Sequence, residues 1–134
     1  MRAFARETAF KLIFERLFVK ENYDFNEEFF ASLKKEEDKE FAIEVLTNYL
    51  QNKETLTEMI KQNLIGYEID RVYKIDLALM LEALTEIFYI KTPERIAINE
   101  VVELAKKYST EKSSRFINGV LSAILRKKKA EEQN

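Results

Sequence analysis

The segment from Asp70 to Ile90 constrains the fold more than any other part of this chain. Ile75, Leu77, Ala78, Leu79, Met80, Leu81, Ala83, Leu84, Ile87 and Phe88 surround most of the circumference of a helix drawn through it. A helix that is apolar on nearly every side must be covered on nearly every side, so it is expected to run through the centre of a helical domain. The remaining periodicity is also helical, and no strand-like alternation is long enough to compete.

The pattern predicts seven helices and an all-α bundle, treated as a single domain over residues 1–134. The first is expected from about Arg2 to Lys20, with Phe10, Ile13 and Leu17 on one stripe and Phe14 and Phe18 on a second. That breadth has two readings: the helix lies between two neighbours, or it lends Phe14 to a partner. A short helix is expected from Asn26 to Leu33, then two more over 39–51 and 55–65, where Thr55 and Glu58 have capping-box spacing. Gly66 is expected to end the fourth helix in a left-handed conformation. After the central helix, Thr92 and Pro93 break the chain and start a helix to about Tyr108. The last helix is expected from Lys112 into a lysine tail at 127–129.

Composition narrows the function. With no His, no Cys and only two glycines, the commonest general base, most zinc ligands and any glycine-rich phosphate loop are missing. No carboxylate pair stands out, so the expectation is a protein that is not an enzyme and uses no metal or cofactor. No apolar run spans a bilayer and no signal peptide opens the chain, which suggests a cytoplasmic protein. The net charge of −2 is uneven: five basic residues stand against two acids over 1–20, and eight stand against Glu111 alone over 106–129. If both ends meet on one face, that face attracts polyanions; otherwise the runs are solvated helix surfaces.

One stretch concentrates polar residues among apolar ones. Ile98, Asn99, Glu100, Val102, Glu103, Leu104, Ala105 and Lys106, followed by Ser114, Phe116, Asn118, Gly119, Val120 and Leu121, resemble the paired C-terminal signatures of the NusB transcription antitermination family. Ala5, Arg6, Glu7 and Ala9 resemble the family's opening, and Ile75, Asp76, Glu86 and Ile87 its central elements. The resemblance covers the whole chain. It implies a bundle of two antiparallel helical subdomains that binds single-stranded boxA RNA together with NusE, a small-subunit ribosomal protein. It also implies that the complex joins the elongating RNA polymerase and supports ribosomal RNA transcription.

By the same resemblance, Arg2, Arg6, Lys112 and Arg115 are expected to neutralise phosphates, beside Ser113, while Phe116 offers a stacking face to a base. Phe116 has a second reading as a residue buried between the last two helices. Phe14 and Asp76 map to the NusE side, where Asp76 is a partner-facing carboxylate or simply a solvated one. Asn99 is expected to satisfy buried backbone, and Gly119 to permit close helix approach. Leu77 and Leu81 depart from the family, which carries basic residues there, and two arginines form a short N-terminal arm. Two other functions stay open: a protein-interaction module or homodimer that never touches RNA, and a stand-alone relative of the NusB-like domain of ribosomal RNA methyltransferases.

Overall fold

The computed structural model describes residues 2–19 and 30–133, and among these every regular element is helical. Five α-helices follow one another: α1 (Arg2–Arg16), α2 (Glu36–Lys61), α3 (Lys74–Thr85), α4 (Glu94–Tyr108) and α5 (Glu111–Gln133). A 3-10 turn at Ile69–Arg71 leads into α3, and a π-helical turn at Glu86–Ile90 continues it. The short helix expected from Asn26 lies mostly outside the described residues.

The central helix occupies the position its apolar circumference demands. Every residue from Asp76 to Ile87 is buried, with Leu79, Met80, Leu81 and Leu84 fully so. Complete burial of a side chain of this size contributes about 1.5–3 kcal/mol. On one side α3 meets α1 and α2, which also pack on each other; on the other it meets α4 and α5. The latter two are antiparallel, and Lys129 Nζ near the end of α5 lies 3.1 Å from Glu94 Oε1 at the start of α4. Leu77 and Leu81 belong to this core, where a basic side chain would be desolvated without need.

Two expected helices are one. The segment 51–54 does not break the chain, and α2 runs unbroken for 26 residues. Polar side chains along this stretch are folded back onto their own helix. Asn48 Nδ2 donates to Glu44 O and Asn52 Nδ2 to Asn48 O, both at 2.8 Å, and Thr57 Oγ1 donates to Lys53 O at 2.6 Å. Each side chain thus bonds the carbonyl four residues back, so it decorates the helical ladder without replacing it. Glu36, Glu37 and Asp38 in the first turn and Lys61 in the last complement the helix dipole. The capping box at Thr55 therefore does not form. Gly66 does adopt positive φ, at +88°, but five residues beyond Lys61, where α2 ends.

At the other end of α3 the chain leaves through Lys91, whose φ of 64° is left-handed. Thr92 N then donates to Glu86 O at 3.0 Å, closing the π turn before Pro93 introduces α4. Thr110 starts α5 by accepting the Ser113 amide on Oγ1 at 3.0 Å, as an N-cap does.

Candidate nucleic-acid interface

Between the loop preceding α3 and the first turns of α5 lies an open cleft of about 380 Å³. Tyr67, Arg71 and Tyr73 line it from the loop, Asp76 from α3, and Lys112, Ser113 and Phe116 from α5. The Tyr67 and Phe116 rings lie 5.9 Å apart between centroids, tilted by 32°. Phe116 is only half-buried and Tyr73 is 65% exposed, so aromatic faces remain open to solvent. Lys112 is exposed at the rim, and Arg115, which does not line the cleft, is exposed three residues farther along α5.

The floor carries the opposite charge. Asp76 is 3% exposed, and its two oxygens each accept a serine hydroxyl at 2.8 Å, Oδ1 from Ser109 and Oδ2 from Ser113. Ser113 is itself 3% exposed and also accepts from Thr110 Oγ1 at 3.0 Å. The network ties the start of α3 to the α4–α5 connection and positions the aromatic walls. Burial raises the Tyr67 hydroxyl pKa, and the Asp76 charge raises it further, so the phenol stays a neutral donor. The cleft therefore has cations at its rim, aromatic walls and a buried carboxylate beneath.

Three of the expected contact residues are buried. Asp76, expected on a partner-facing edge, has both its oxygens turned inward onto hydroxyls. Ser113 supports the cleft from below rather than presenting its hydroxyl to solvent.

Arg6 is the largest change. It is 4% exposed, and its Nε and Nη2 donate to Glu86 at 2.6 and 2.8 Å. Glu86 is fully buried and also accepts from Thr92 Oγ1 at 3.0 Å. A guanidinium so enclosed is committed to a carboxylate and has no open face for a phosphate. Burial is the largest influence on the Glu86 carboxyl and would raise its pKa, yet the bonds from Arg6 and Thr92 hold it below the usual range. One turn back, Glu82 is also fully buried, and its side-chain hydrogen bond is with the Glu86 carboxylate, to which a protonated Glu82 donates. Burial first, then the neighbouring Glu86 charge, pushes its pKa well up.

The basic ends do not converge on the cleft. Arg2 is exposed at the start of α1, with its guanidinium 4.7 Å from the Phe41 ring centre, and neither it nor Arg6 lines the cleft. Farther along α1, Glu7 accepts from Lys107 at 3.0 Å and from the Tyr108 hydroxyl, fastening α1 to the end of α4. Phe14 is half-buried and meets Phe18 edge-on at 5.1 Å, while Phe18 is 62% exposed. Asn99, Asn118 and Gly119 are all exposed, and a Cβ added at Gly119 would meet nothing within 4 Å. Buried backbone satisfaction and close helix approach are thus not their roles.

Tyr67, Arg71 and Tyr73 were not anticipated. Their signal was present in the sequence as two tyrosines bracketing an arginine in a loop without helical periodicity. Such alternation of basic and aromatic residues suits single-stranded nucleic acid. It gained meaning only when folding placed the loop beside Phe116.

Solved structures share this architecture. A NusB structure from T. maritima superposes with a TM-score of 0.84 at 26% identity, covering 94% of this chain and 91% of that one. A structure of antitermination factors NusB and NusE in complex with dsRNA superposes with a TM-score of 0.82 at 27% identity, over 93% of this chain and 96% of that one. The fold is thus that of transcription antitermination factors. Among curated relatives, the transcription antitermination protein NusB of Finegoldia magna is 39% identical over 129 residues, 92% of this chain and 93% of that protein. Its counterpart in Clostridium botulinum is 36% identical over 132 residues, 94% and 98% respectively. The NusB family model matches residues 4–126, and the chain belongs to the NusB family.

Proposed function

We propose that this protein acts in the cytoplasm as a non-catalytic antitermination subunit, binding boxA-type single-stranded RNA in the cleft beside α5. The observation that carries this reading is the group of Tyr67, Tyr73 and Phe116 at the cleft, with Arg71 and Lys112 among them. Unstacked bases can stack on the exposed aromatic faces, whereas the bases of a duplex are already stacked on one another. The charge layout orients the strand. Asp76 beneath the floor repels phosphates and the cations at the rim attract them, so bases point inward and the backbone runs outside. Arg115, outside the cleft on the next turn of α5, and Arg2 add positive charge at longer range.

NusE is the protein partner in this reading. The Phe14 and Phe18 pair at the end of α1 offers it an apolar contact, and the complex then joins the RNA polymerase elongation complex. Among the described residues no helix is long and apolar enough to cross a membrane, which agrees with a role on nascent RNA.

Fluorescence anisotropy with labelled boxA RNA tests the proposal, with and without NusE and across a salt series. Binding is expected to tighten with NusE, weaken with salt and favour the single strand over a duplex of the same sequence. Phe116→Ala should cost about 1–3 kcal/mol in RNA binding, the usual value of one base stacked on an aromatic ring. Equal affinity for single strand and duplex, indifferent to Phe116→Ala, would overturn it.

A further inference from the structure

Beyond the cleft, α5 carries a feature that folding does not use. From Lys112 to Lys129 it contains no acidic residue, although the chain as a whole is slightly acidic. Lys112, Arg115, Arg126 and Lys129 are all exposed. At about 100° per residue, their separations of three, eleven and three residues keep all four within about 100° of one another around the helix, so the four cations share one side of it. Asn118, Gly119 and Ser122 fill the gap between the two pairs with short side chains, and Gly119 adds none. A glycine inside a helix costs about 1 kcal/mol relative to alanine. Nothing among the described residues repays that cost, because none comes within 4 Å of a Cβ placed on Gly119.

We propose that this stripe is a backbone track for single-stranded RNA, along which the strand continues after leaving the cleft. The proposal rests on the RNA reading of the cleft and extends it. Lys112 belongs to both, since it lines the cleft and begins the stripe, so the two surfaces are continuous. Phosphates meet Arg115 first and then Arg126 and Lys129, while the low surface at Gly119 and Ser122 lets the sugar–phosphate chain lie close to the helix. Lys129 pairs with Glu94, but the lysine is 63% and the glutamate 37% exposed, and a solvated ion pair of this kind is weak enough to yield to a phosphate. The other tail lysines serve elsewhere: Lys128 lies over the Phe88 ring, and Lys127 borders a hollow with Met59 of α2 and Gln62 just past its end. The stripe recognises charge and not base identity, so the track is indifferent to sequence beyond the boxA element.

The test compares boxA RNA that fills only the cleft with the same RNA carrying about six extra uridines at either end, roughly enough to span the stripe. The extension at one end is expected to tighten binding about tenfold at low salt and to steepen the salt dependence by about 0.7 for each phosphate neutralised. Arg126→Glu should abolish that gain and leave the short RNA within about twofold of the unaltered protein, which also shows that the variant is folded. Equal affinity for short and extended RNAs overturns the track while leaving the cleft reading intact. Arg126→Glu weakening both RNAs alike also overturns it. If neither RNA binds, with or without NusE, the cleft reading fails and the track fails with it. If an acidic polypeptide competes for the stripe while extended RNA gains nothing, the occupant is a protein and the proposal is wrong.

Discussion

Replacing Arg6 with alanine separates a structural arginine from an RNA contact. In the folded protein Arg6 makes two short bonds to Glu86, which is fully buried, with fully buried Glu82 one turn away. Deletion leaves Glu86 with the Thr92 hydroxyl and the protonated Glu82 and removes the cation that faces both carboxyl groups. Breaking a buried pair by removing one partner costs about 3–5 kcal/mol, against about 1 kcal/mol or less for an exposed pair. Native domains are stable by about 5–15 kcal/mol, so this is a large fraction of the total. For a chain of this length the corresponding fall in Tm is roughly 10–20 °C.

Urea and thermal unfolding followed by circular dichroism give the measurement, with RNA anisotropy at low temperature alongside. The double variant Arg6→Met with Glu86→Leu removes both charges and should recover most of the loss, because no unpaired ion remains. Folded Arg6→Ala should bind boxA RNA within about twofold of the original protein. The reasoning is refuted if Arg6→Ala keeps its Tm within about 2 °C and loses RNA affinity tenfold, the signature of a phosphate contact.

Three further outcomes are expected. The raised carboxyl pKa of Glu82 favours the folded state at acid pH and is a growing liability as pH rises through it, so Glu82→Gln should gain stability over the parent from about pH 4 to about pH 8; a gap that stays constant across urea titrations refutes this. Gly119→Ala should stabilise the protein by about 0.5–1 kcal/mol in denaturant unfolding, since open space receives the methyl group, whereas a close helix contact there would make it destabilising. Glu54→Pro should cost about 3 kcal/mol or more because residue 54 lies inside a continuous α2; tolerance would restore the two-helix reading.

The sequence by itself determined the helical class, the central position of α3, the break at Pro93 and the family. These follow from local periodicity, from backbone rules at single residues, and from residue types in a fixed order, none of which needs distant partners. The length of α2 was not legible in this way. Asn48, Asn52 and Thr57 have side chains that serve turns and helices equally, and packing against α1 and α3 decided for the helix.

Tertiary structure alone assigned the charged residues. An arginine in a sequence carries no sign of whether its partner is a phosphate or a carboxylate, and Glu86 stands eighty positions from Arg6. Asp76 and Ser113 likewise became a buried network only when the start of α5 met the start of α3. The same contact created the cleft, because Tyr67 and Phe116 are far apart in the chain and share a wall only in the folded molecule. Periodicity says which side of a helix is apolar; which polar groups then lose water, and must find each other, is settled by what the fold brings against them.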